Sequence, residues 1–500
     1  MTIVKLNQQW IMGASIGAGG FGRVLKPGTR LIRTRLIVLI VMFLPKGLTT
    51  LMPAFKENSV DKLCLLKQGT IMLDKDIAAA IIAAVDAGFE AQTRFTQDMV
   101  RCPSVRGQEH TIQDLMADAM ARRGLSVDHW KVKVDDIKDL PGFAPVVDAT
   151  YENAYNVVGT YRPAHRNGRS LIFNGHIDVV PTGDWNRWTT PPFEPRIDGK
   201  WMYGRGAGDM KSGLAGTLFA FDAVRAAGFT PTAPIHFQSV VEEECTGNGT
   251  LACLQRGYNA DCAFVPEPLE PKLMRAEVGL IWFRVHVEGD PQHASAGFNN
   301  VGANAIEKAL GLWPHIKQLE DEWNARKVDH PLYKDHPHPI RVNLGEISGG
   351  EWTSSVPAKA VLNIRVGVLP GVKLKDIQAE IEARVHEASL YDPFLSNHQP
   401  RIEYHGHMAE GYVLENAAIP EAVLANSHKA VFNEELREEI TSAATDARFF
   451  GLYRNTPGLV YGPMCERPHG IDERVDLDSV RAVTKTMALF LAEWCGIEPL

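Results

Sequence analysis

Five short segments of the sequence place carboxylates and imidazoles directly after apolar runs. The residues concerned are His176 and Asp178 in NGHIDVVP, Asp209 in YGRGAGDMKSG, Glu242, Glu243 and Glu244 in SVVEEECTGNG, Glu267 in VPEPLEP, and His469 in ERPHGIDERV. Crowded like charges are unfavourable unless a cation neutralises them or water solvates them. Carboxylate and imidazole ligands without a thiolate suit zinc, cobalt or manganese rather than an iron–sulfur centre. The set therefore predicts a metal centre at the ends of strands.

Taken singly, each segment also has a simpler interpretation. His176 and Asp178 are two residues apart, so their side chains share one face of a strand, and such a pair can be structural. Asp209 stands where an N-cap is favoured at the start of an apolar helix. Three consecutive glutamates also occur in solvated loops. The order of the segments, each at the end of an element, favours a metal site over these separate alternatives.

The elements that must position these residues alternate from Asp74 onward. Residues 76–100 and the segment HTIQDLMADAMARRG carry apolar residues at helical spacing. The segments NVVGTY, RSLIFNGHIDVV, IHFQSVV and CAFVPEP are short β-branched runs that are typical of strands. This alternation predicts an α/β fold with helices on both faces of a mixed sheet.

Residues from about 280 to 405 read as a second unit. The strand LIWFRVHVEG is followed by a helix, the strands IRVNLGEIS and KAVLNIRVGV, a second helix and the closing strand RIEYHG. The order βαββαβ is that of a ferredoxin-like sandwich. We therefore predict a main domain in two parts, residues 73–283 and 406–500, with a smaller domain inserted over residues 284–405.

Residues 1–72 differ in amino-acid composition from the rest of the chain, and we expect them to form a poorly ordered extension. SIGAGGFGRV, from Ser15 to Val24, has the glycine spacing of a kinase phosphate loop, but no strand lysine, H-R-D loop or D-F-G site follows. The apolar run from Leu36 to Leu44 has nine residues, and a membrane span needs about 20. A secretory signal is the alternative, although the run begins deep in the chain and no A-x-A-like cleavage site follows it.

Composition narrows the classes of protein further. The net charge of −8 and pI of about 6.1 provide no basic excess for a phosphate backbone, so we expect no nucleic-acid partner. Seven scattered cysteines without a C-x-x-C pair indicate a reducing compartment. We therefore expect a cytoplasmic protein that does not bind membranes.

The motifs G-H-I-D-V-V-P, G-R-G-A-G-D-M-K-S-G, E-E-E-C-T-G-N-G, E-P and P-H-G together resemble those of one known family. It is the acetylornithine deacetylase and succinyl-diaminopimelate desuccinylase family of co-catalytic zinc hydrolases, which includes aminoacylases and glutamate carboxypeptidases. The resemblance covers residues 75 to 495. It implies two divalent metal ions, zinc before cobalt or manganese. His176, Asp209 and Glu267 would hold one, and Asp209, Glu244 and His469 the other.

The same resemblance implies roles for residues beside the metals. Asp178 would orient His176, and Glu243 would be the general base. Glu242 stands where many members of the family have aspartate. His293, in GDPQHASAG, matches a histidine that the partner subunit of a homodimer supplies to stabilise the oxyanion.

Three further residues are candidates for binding the substrate, and two of them, Asn343 and Arg365, resemble family residues that meet its carbonyl and carboxylate. Asn343 and Arg365 lie in the inserted domain, which the resemblance makes a lid and dimerisation domain. Arg448, in ATDARFF, could clamp a carboxylate through two hydrogen bonds, or form a structural salt bridge with Asp446.

These residues together predict a metal-dependent hydrolase that removes an acyl group from the nitrogen of an amino acid or related amine. The first expectation is deacetylation of N-acetylornithine, in arginine biosynthesis, and the second is desuccinylation. A di- or tripeptidase and a deformylase of a small heterocyclic amine use the same ligands. A non-catalytic binding protein would be expected to lack a ligand or the base, yet every position is filled.

Overall fold

A computed structural model describes residues 3–6, 9–12, 73–295 and 302–500. The glycine-rich segment from Ser15 to Val24 and the apolar run from Leu36 to Leu44 lie outside the described residues, as does nearly all of the predicted extension. The chain divides into two units, residues 1–68 and 69–500. In the first unit, two described strands, β1 and β2, form an antiparallel pair.

The helices of the second unit alternate with strands, as the sequence predicts. They are α1 (Lys75–Arg101), α2 (His110–Arg122), α3 (Val134–Ile137), α4 (Ser212–Ala226), α5 (Asn248–Gln255), α6 (Ala305–Lys317), α7 (Leu319–Ala325), α8 (Leu374–Leu390), α9 (Ala418–Phe432), α10 (Ala447–Arg454) and α11 (Leu477–Cys495). In the described part of the chain, no helix is both long and apolar enough to cross a membrane.

The strands are mostly short. They are β1 (Ile3–Leu6), β2 (Gln9–Met12), β3 (Ser126–Lys131), β4 (Tyr155–Tyr161), β5 (Leu171–His176), β6 (Arg196–Asp198), β7 (Trp201–Tyr203), β8 (Phe229–Pro231), β9 (Ile235–Val240), β10 (Cys262–Val265), β11 (Leu273–Glu277), β12 (Gly279–Glu288), β13 (Val342–Gly349), β14 (Lys359–Val368), β15 (Arg401–Ala409), β16 (Tyr412–Val413), β17 (Glu438–Thr441), β18 (Gly458–Val460), β19 (Cys465–Glu466), β20 (Arg474–Asp476) and β21 (Ile497–Pro499).

Six of these strands form a mixed central sheet in the order β18-β10-β5-β9-β4-β3. Strands β18, β10, β5 and β9 are parallel, whereas β4 and β3 run antiparallel to their neighbours. On one face, Gly175 of β5 approaches α4 so closely that a Cβ atom there would lie 3.3 Å from Leu214. On the other face, Asn174 donates a hydrogen bond to Thr250 of α5 (2.8 Å). Helices therefore cover both faces, which confirms the predicted fold class.

The first helix shows how local sequence sets these elements. Asp74 caps α1 by accepting hydrogen bonds from the backbone N–H groups of Asp76 (2.9 Å) and Ile77 (3.4 Å). Ile81 and Val85, four residues apart, then share the buried face of the helix. Helix α1 packs against α4 and α11 on the sheet.

A second sheet has the predicted βαββαβ connectivity. Its order, β13-β14-β12-β15, is antiparallel throughout and is that of a ferredoxin-like sandwich. Buried Ile281, Phe283 and Val285 of β12 belong to a hydrophobic cluster shared with α6 and α8, separate from that of the central sheet. The closing strand is longer than predicted, because β15 continues past Gly406 to Ala409. The domain boundaries themselves stay predictions.

Candidate metal centre and active site

The centre of the site is His176, the last residue of β5. Its Nε2 atom lies 3.2 Å from Oδ1 of Asp209, 3.7 Å from Oε1 of Glu267 and 3.9 Å from Oε2 of Glu243. The imidazole is fully buried. Strands β5 and β10 are parallel neighbours, so their carboxyl ends bring His176 and Glu267 to the same edge of the sheet.

Asp209 lies between two histidines. Its Oδ1 atom faces His176, and its Oδ2 atom lies 3.3 Å from Nε2 of His469. The same His469 nitrogen is 3.0 Å from Oε2 of Glu244. One carboxylate with an oxygen toward each histidine is the arrangement required of a ligand that bridges two cations. The structure thus brings together all five predicted metal ligands.

The grouping of these atoms differs from the predicted division into two ligand sets. Potential ligand atoms lie within 4.8 Å of one another in the groups His176, Glu243 and Glu267, and His176, Asp209 and Glu244. Glu243, which the sequence assigns as the base, therefore also lies within reach of a cation. The division of ligands between two metals stays a prediction.

The charges of the cluster fit divalent cations. The charge of Glu244, and a hydrogen bond that the imidazole donates to Asp209, raise the pKa of His469 to about 11. Burial raises the pKa values of the Glu243 and Glu267 carboxyls well above their ordinary range. Carboxylates crowded in this way favour a proton or a cation among them. Oxygen and imidazole nitrogen donors without thiolate match the predicted preference for zinc, cobalt or manganese.

Asp178 contacts its neighbours differently from the predicted carboxylate–imidazole pair. The closest approach to Nδ1 of His176 is the backbone oxygen of Asp178, at 2.9 Å, and the carboxylate oxygen is at 3.6 Å. The carboxylate accepts hydrogen bonds from the backbone N–H groups of Glu243 (3.3 Å) and Glu244 (3.1 Å). Asp178 thus fixes His176 through its main chain and the glutamate turn through its side chain.

Glu242 faces away from the metal ligands. Its buried carboxylate accepts two hydrogen bonds from Arg106 (2.5 and 2.8 Å) and one from the Tyr151 hydroxyl (2.7 Å). Its φ of 69° is in the left-handed region, and its carbonyl accepts from the N–H groups of Thr246 (2.8 Å) and Gly247 (2.7 Å). Glu242 therefore anchors the turn that carries Glu243 and Glu244. The local sequence indicates neither this role of Glu242 nor its partner Arg106.

A buried carboxylate, Glu473, supports the loop that carries Asp209, the predicted bridging ligand. It accepts hydrogen bonds from the backbone N–H groups of Gly208 (3.0 Å) and Asp209 (3.1 Å), and it pairs with Arg205 (2.6 Å). Arg205 in turn donates to the backbone oxygen of His469 (3.3 Å). Glu473 lies in the segment ERPHGIDERV, four residues after His469, but nothing in the local sequence indicates this supporting role.

The predicted metal ligands open into a cavity of about 890 Å³ between the two sheets. Asn343 and Arg365, the predicted substrate-binding residues, line its other side together with Trp282. Two other predicted residues are placed elsewhere. Arg448 is 2% exposed and donates to the backbone oxygens of Thr445 (2.8 Å) and Thr246 (3.4 Å), which favours the structural alternative. His293 is exposed, bonded to Ser295, and not among the described residues that line the cavity.

Residues 172–493 match the model of Peptidase family M20/M25/M40. The chain belongs to this family. The family includes the acetylornithine deacetylase type of enzyme, so the resemblance seen in the sequence is confirmed, and the chain is a metal-dependent amidohydrolase. M20 proteins generally bind two divalent metal ions.

Two similar proteins carry the same name, N-formyl-4-amino-5-aminomethyl-2-methylpyrimidine deformylase. The protein from Halalkalibacterium halodurans is 28% identical over 446 residues, which cover 85% of this chain and 99% of the relative. The protein from Bacillus subtilis is 29% identical over 413 residues, covering 79% and 91%. Among solved M20-type structures, the dipeptidase Dug1p from Saccharomyces cerevisiae has a TM-score of 0.69 at 15% identity, over 84% of this chain and 98% of that one.

Human carnosine dipeptidase 1 has the same fold, with a TM-score of 0.65 at 13% identity, over 84% of this chain and 99% of that one. At these identities the structural likeness establishes the fold alone. The curated relatives therefore bear more closely on the reaction than the solved structures do.

Proposed function

We propose that this M20 protein hydrolyses the amide bond of a small N-acylated amine, with formyl as the acyl group. The observation that carries the reaction type is the position of Asp209, one oxygen toward His176 and the other toward His469, with Glu243 beside it in the same cavity. The acyl group is supported by the two deformylases, which match this chain over nearly their full length.

Glu243 is the residue that moves protons in this proposal. Two divalent cations held by the predicted ligands, with zinc as the first choice, would polarise the amide carbonyl and lower the pKa of the attacking water. Glu243 accepts a proton from that water as the oxygen bonds to the carbonyl carbon. It then gives the proton to the nitrogen as the C–N bond breaks, leaving a carboxylic acid and an amine.

The environment of Glu243 suits this task. Its carboxyl is buried, and burial raises its pKa toward that of a group that can both accept and return a proton. The backbone bond from Glu243 to Asp178 and the anchoring of Glu242 by Arg106 hold the turn in place.

Other parts of the proposal rest on the resemblance. We propose a cytoplasmic homodimer in which the partner's His293 stabilises the oxyanion, while Asn343 and Arg365 meet the substrate. N-acetylornithine deacetylation, desuccinylation and dipeptide cleavage remain alternatives at the same metal site. None of them shares the name of the curated relatives.

The test is a panel of N-formyl, N-acetyl and N-succinyl amines and dipeptides, with metal-stripped protein and with added zinc or cobalt. We expect metal-restored release of amine from an N-formyl substrate. Glu243→Gln should abolish turnover while both metals remain bound, and Glu90→Gln, a change at an exposed glutamate of α1, is the matched control. Turnover by Glu243→Gln at the wild-type rate would remove Glu243 as the base, and fastest hydrolysis of N-acetylornithine would replace formyl with acetyl.

A further inference from the structure

The cavity wall opposite the metal ligands is a row of side chains across the second sheet. Asn343 of β13 pairs with Arg365 of β14, and Arg365 pairs with Trp282 of β12. Directly paired residues in an antiparallel sheet have side chains on the same face, about 5 Å apart. All three residues line the cavity. Trp282 is therefore the immediate neighbour of Arg365 and lies two strands from Asn343, on the same surface.

A bulge in β15 builds an aromatic wall around Trp282. Ile281 pairs with Met408 and Phe283 with Tyr404, so the three residues His405, Gly406 and His407 face Trp282 alone. The His407 ring packs edge-on to the indole, with centroids 5.0 Å apart and an interplanar angle of 79°. The His405 ring lies 6.0 Å away on the same indole.

Glycine is required at the centre of this bulge. Gly406 has a φ of +58°, and a Cβ atom there would lie 2.5 Å from Cε3 of Trp282. A β-bulge re-aims side chains at functional sites. Gly406 thus allows the indole to lie against the β15 backbone while the His405 and His407 rings pack on it.

Arg365 adds hydrogen-bond donors beside the indole. One of its five N–H donors goes to the backbone oxygen of Ser442 (3.1 Å). Among the described residues, no carboxylate lies within 4.0 Å of this guanidinium. The remaining donors are therefore available to acceptor atoms of a molecule that packs on Trp282.

We propose that Trp282 is the stacking surface for a planar nitrogen-containing aromatic ring in the amine portion of the substrate, with Arg365 donating to the ring nitrogens. This inference rests on the proposed function and deepens it by naming the class of amine. An indole face adds binding energy when a flat ring stacks on it, and a guanidinium donates hydrogen bonds to ring nitrogens that accept them. A saturated amine would use neither property.

Binding of the product amine tests the inference without relying on turnover. Calorimetry on the zinc-loaded protein would compare 5-(aminomethyl)pyrimidine with cyclohexylmethylamine and L-ornithine. Stacking of a base on an aromatic side chain increases binding affinity by about 5- to 150-fold. We expect Trp282→Leu to weaken pyrimidine binding by such a factor, Trp282→Phe to retain most of it, and cyclohexylmethylamine binding to change less than about twofold.

Trp130 provides the matched control. It is half-buried on β3, stacks on Tyr258 and is not among the described residues that line the cavity. Trp130→Leu should leave the affinity for the pyrimidine unchanged. Near-ultraviolet circular dichroism and zinc content would establish that each variant is folded and loaded.

The outcomes separate this inference from the proposed function. Tighter binding of the pyrimidine, lost in Trp282→Leu, with no hydrolysis of any formyl amide, would support the stacking surface and contradict the proposed reaction. If the protein hydrolyses formyl amides and Trp282→Leu changes the affinity for all three amines equally, the proposed reaction is supported and the stacking surface is contradicted. Tighter binding of ornithine, or no pyrimidine binding at millimolar concentration, would overturn the inference.

Discussion

Replacing Glu473 by glutamine should weaken metal binding although this residue is not a predicted ligand. Its Oε1 atom accepts from the N–H groups of Gly208 (3.0 Å) and Asp209 (3.1 Å). Its Oε2 atom accepts from the N–H of Gly206 (3.1 Å) and from Arg205 (2.6 Å). The carboxylate is 1% exposed. Four donors therefore converge on two oxygens that only an ionised carboxylate supplies.

The magnitude follows from what glutamine removes. Its NH₂ group takes the place of one oxygen, so two donors then face another donor whichever way the amide turns. The Arg205 guanidinium, 2% exposed, loses its buried counter-charge. Breaking a buried ion pair by removing one partner costs about 3–5 kcal/mol of unfolding free energy. Because the loop carries Asp209, metal affinity should also fall by about 10- to 100-fold, as for other residues that orient ligands.

Two measurements on Glu473→Gln check the expected losses of stability and of metal affinity. Urea unfolding in the presence of a chelator gives the structural cost without the contribution of bound metal, and competition with a chromophoric chelator gives the zinc affinity. Glu466→Gln is the control, since Glu466 pairs with Arg474 nearby but is partly exposed, and such pairs contribute about 0–1 kcal/mol. If Glu473→Gln matches Glu466→Gln in both measurements, the carboxylate does not position the bridging ligand.

Three further predictions concern other parts of the site. Glu242→Asp shortens the side chain that reaches Arg106, so it should lower kcat/KM about 10- to 100-fold at unchanged zinc content. Arg106→Met leaves Glu242 buried without its cation and should lower the free energy of unfolding in urea by about 3 kcal/mol. Neither effect is expected if the ion pair is dispensable. Burial raises the pKa of Glu109 to about 8 from 4.5, so between these pH values the folded chain holds a proton that the unfolded chain has lost. Stability then falls by up to about 5 kcal/mol as pH rises through that window, and Glu109→Gln should gain more stability at pH 9 than at pH 6, whereas a gain independent of pH would contradict the assignment. Mixing His293→Ala with His176→Ala should restore roughly a quarter of wild-type activity, because half of the dimers are mixed and each has one complete site; mixed dimers without activity would count against a histidine that acts across the dimer.

Much of the metal centre could be predicted because its residues follow strands. His176 ends β5 and Glu267 follows β10. Because β5 and β10 are parallel neighbours, their carboxyl ends lie at the same edge of the sheet. In the structure, His176 lies within 4 Å of Asp209 and Glu267, and His469 lies within 4 Å of Asp209. Their individual roles stay predictions.

The residues that support the ligands could not be predicted in the same way. Glu473 contacts the Asp209 loop across more than 260 positions of sequence, and Arg106 reaches Glu242 across 136. Nothing in their local spacing indicates these partners, since the contacts depend on tertiary packing. For Arg448 the sequence left two alternatives open, a substrate clamp and a structural contact. Its buried guanidinium donates to the backbone oxygens of Thr445 and Thr246, which favours the structural alternative.

The two sides of the cavity depend on different kinds of structural support, and this bears on how one metal centre can serve several substrates. Asp209 and the glutamate turn are held by buried ion pairs and backbone hydrogen bonds, so most changes there would disturb the chemistry itself. The opposite wall is one face of an antiparallel sheet, where Trp282 and Arg365 project from strands whose packing depends on the other face. Asn343 and Arg365 do not belong to the hydrophobic cluster that supports this sheet. Substrate choice is therefore expected to change with substitutions along this row while hydrolysis is retained.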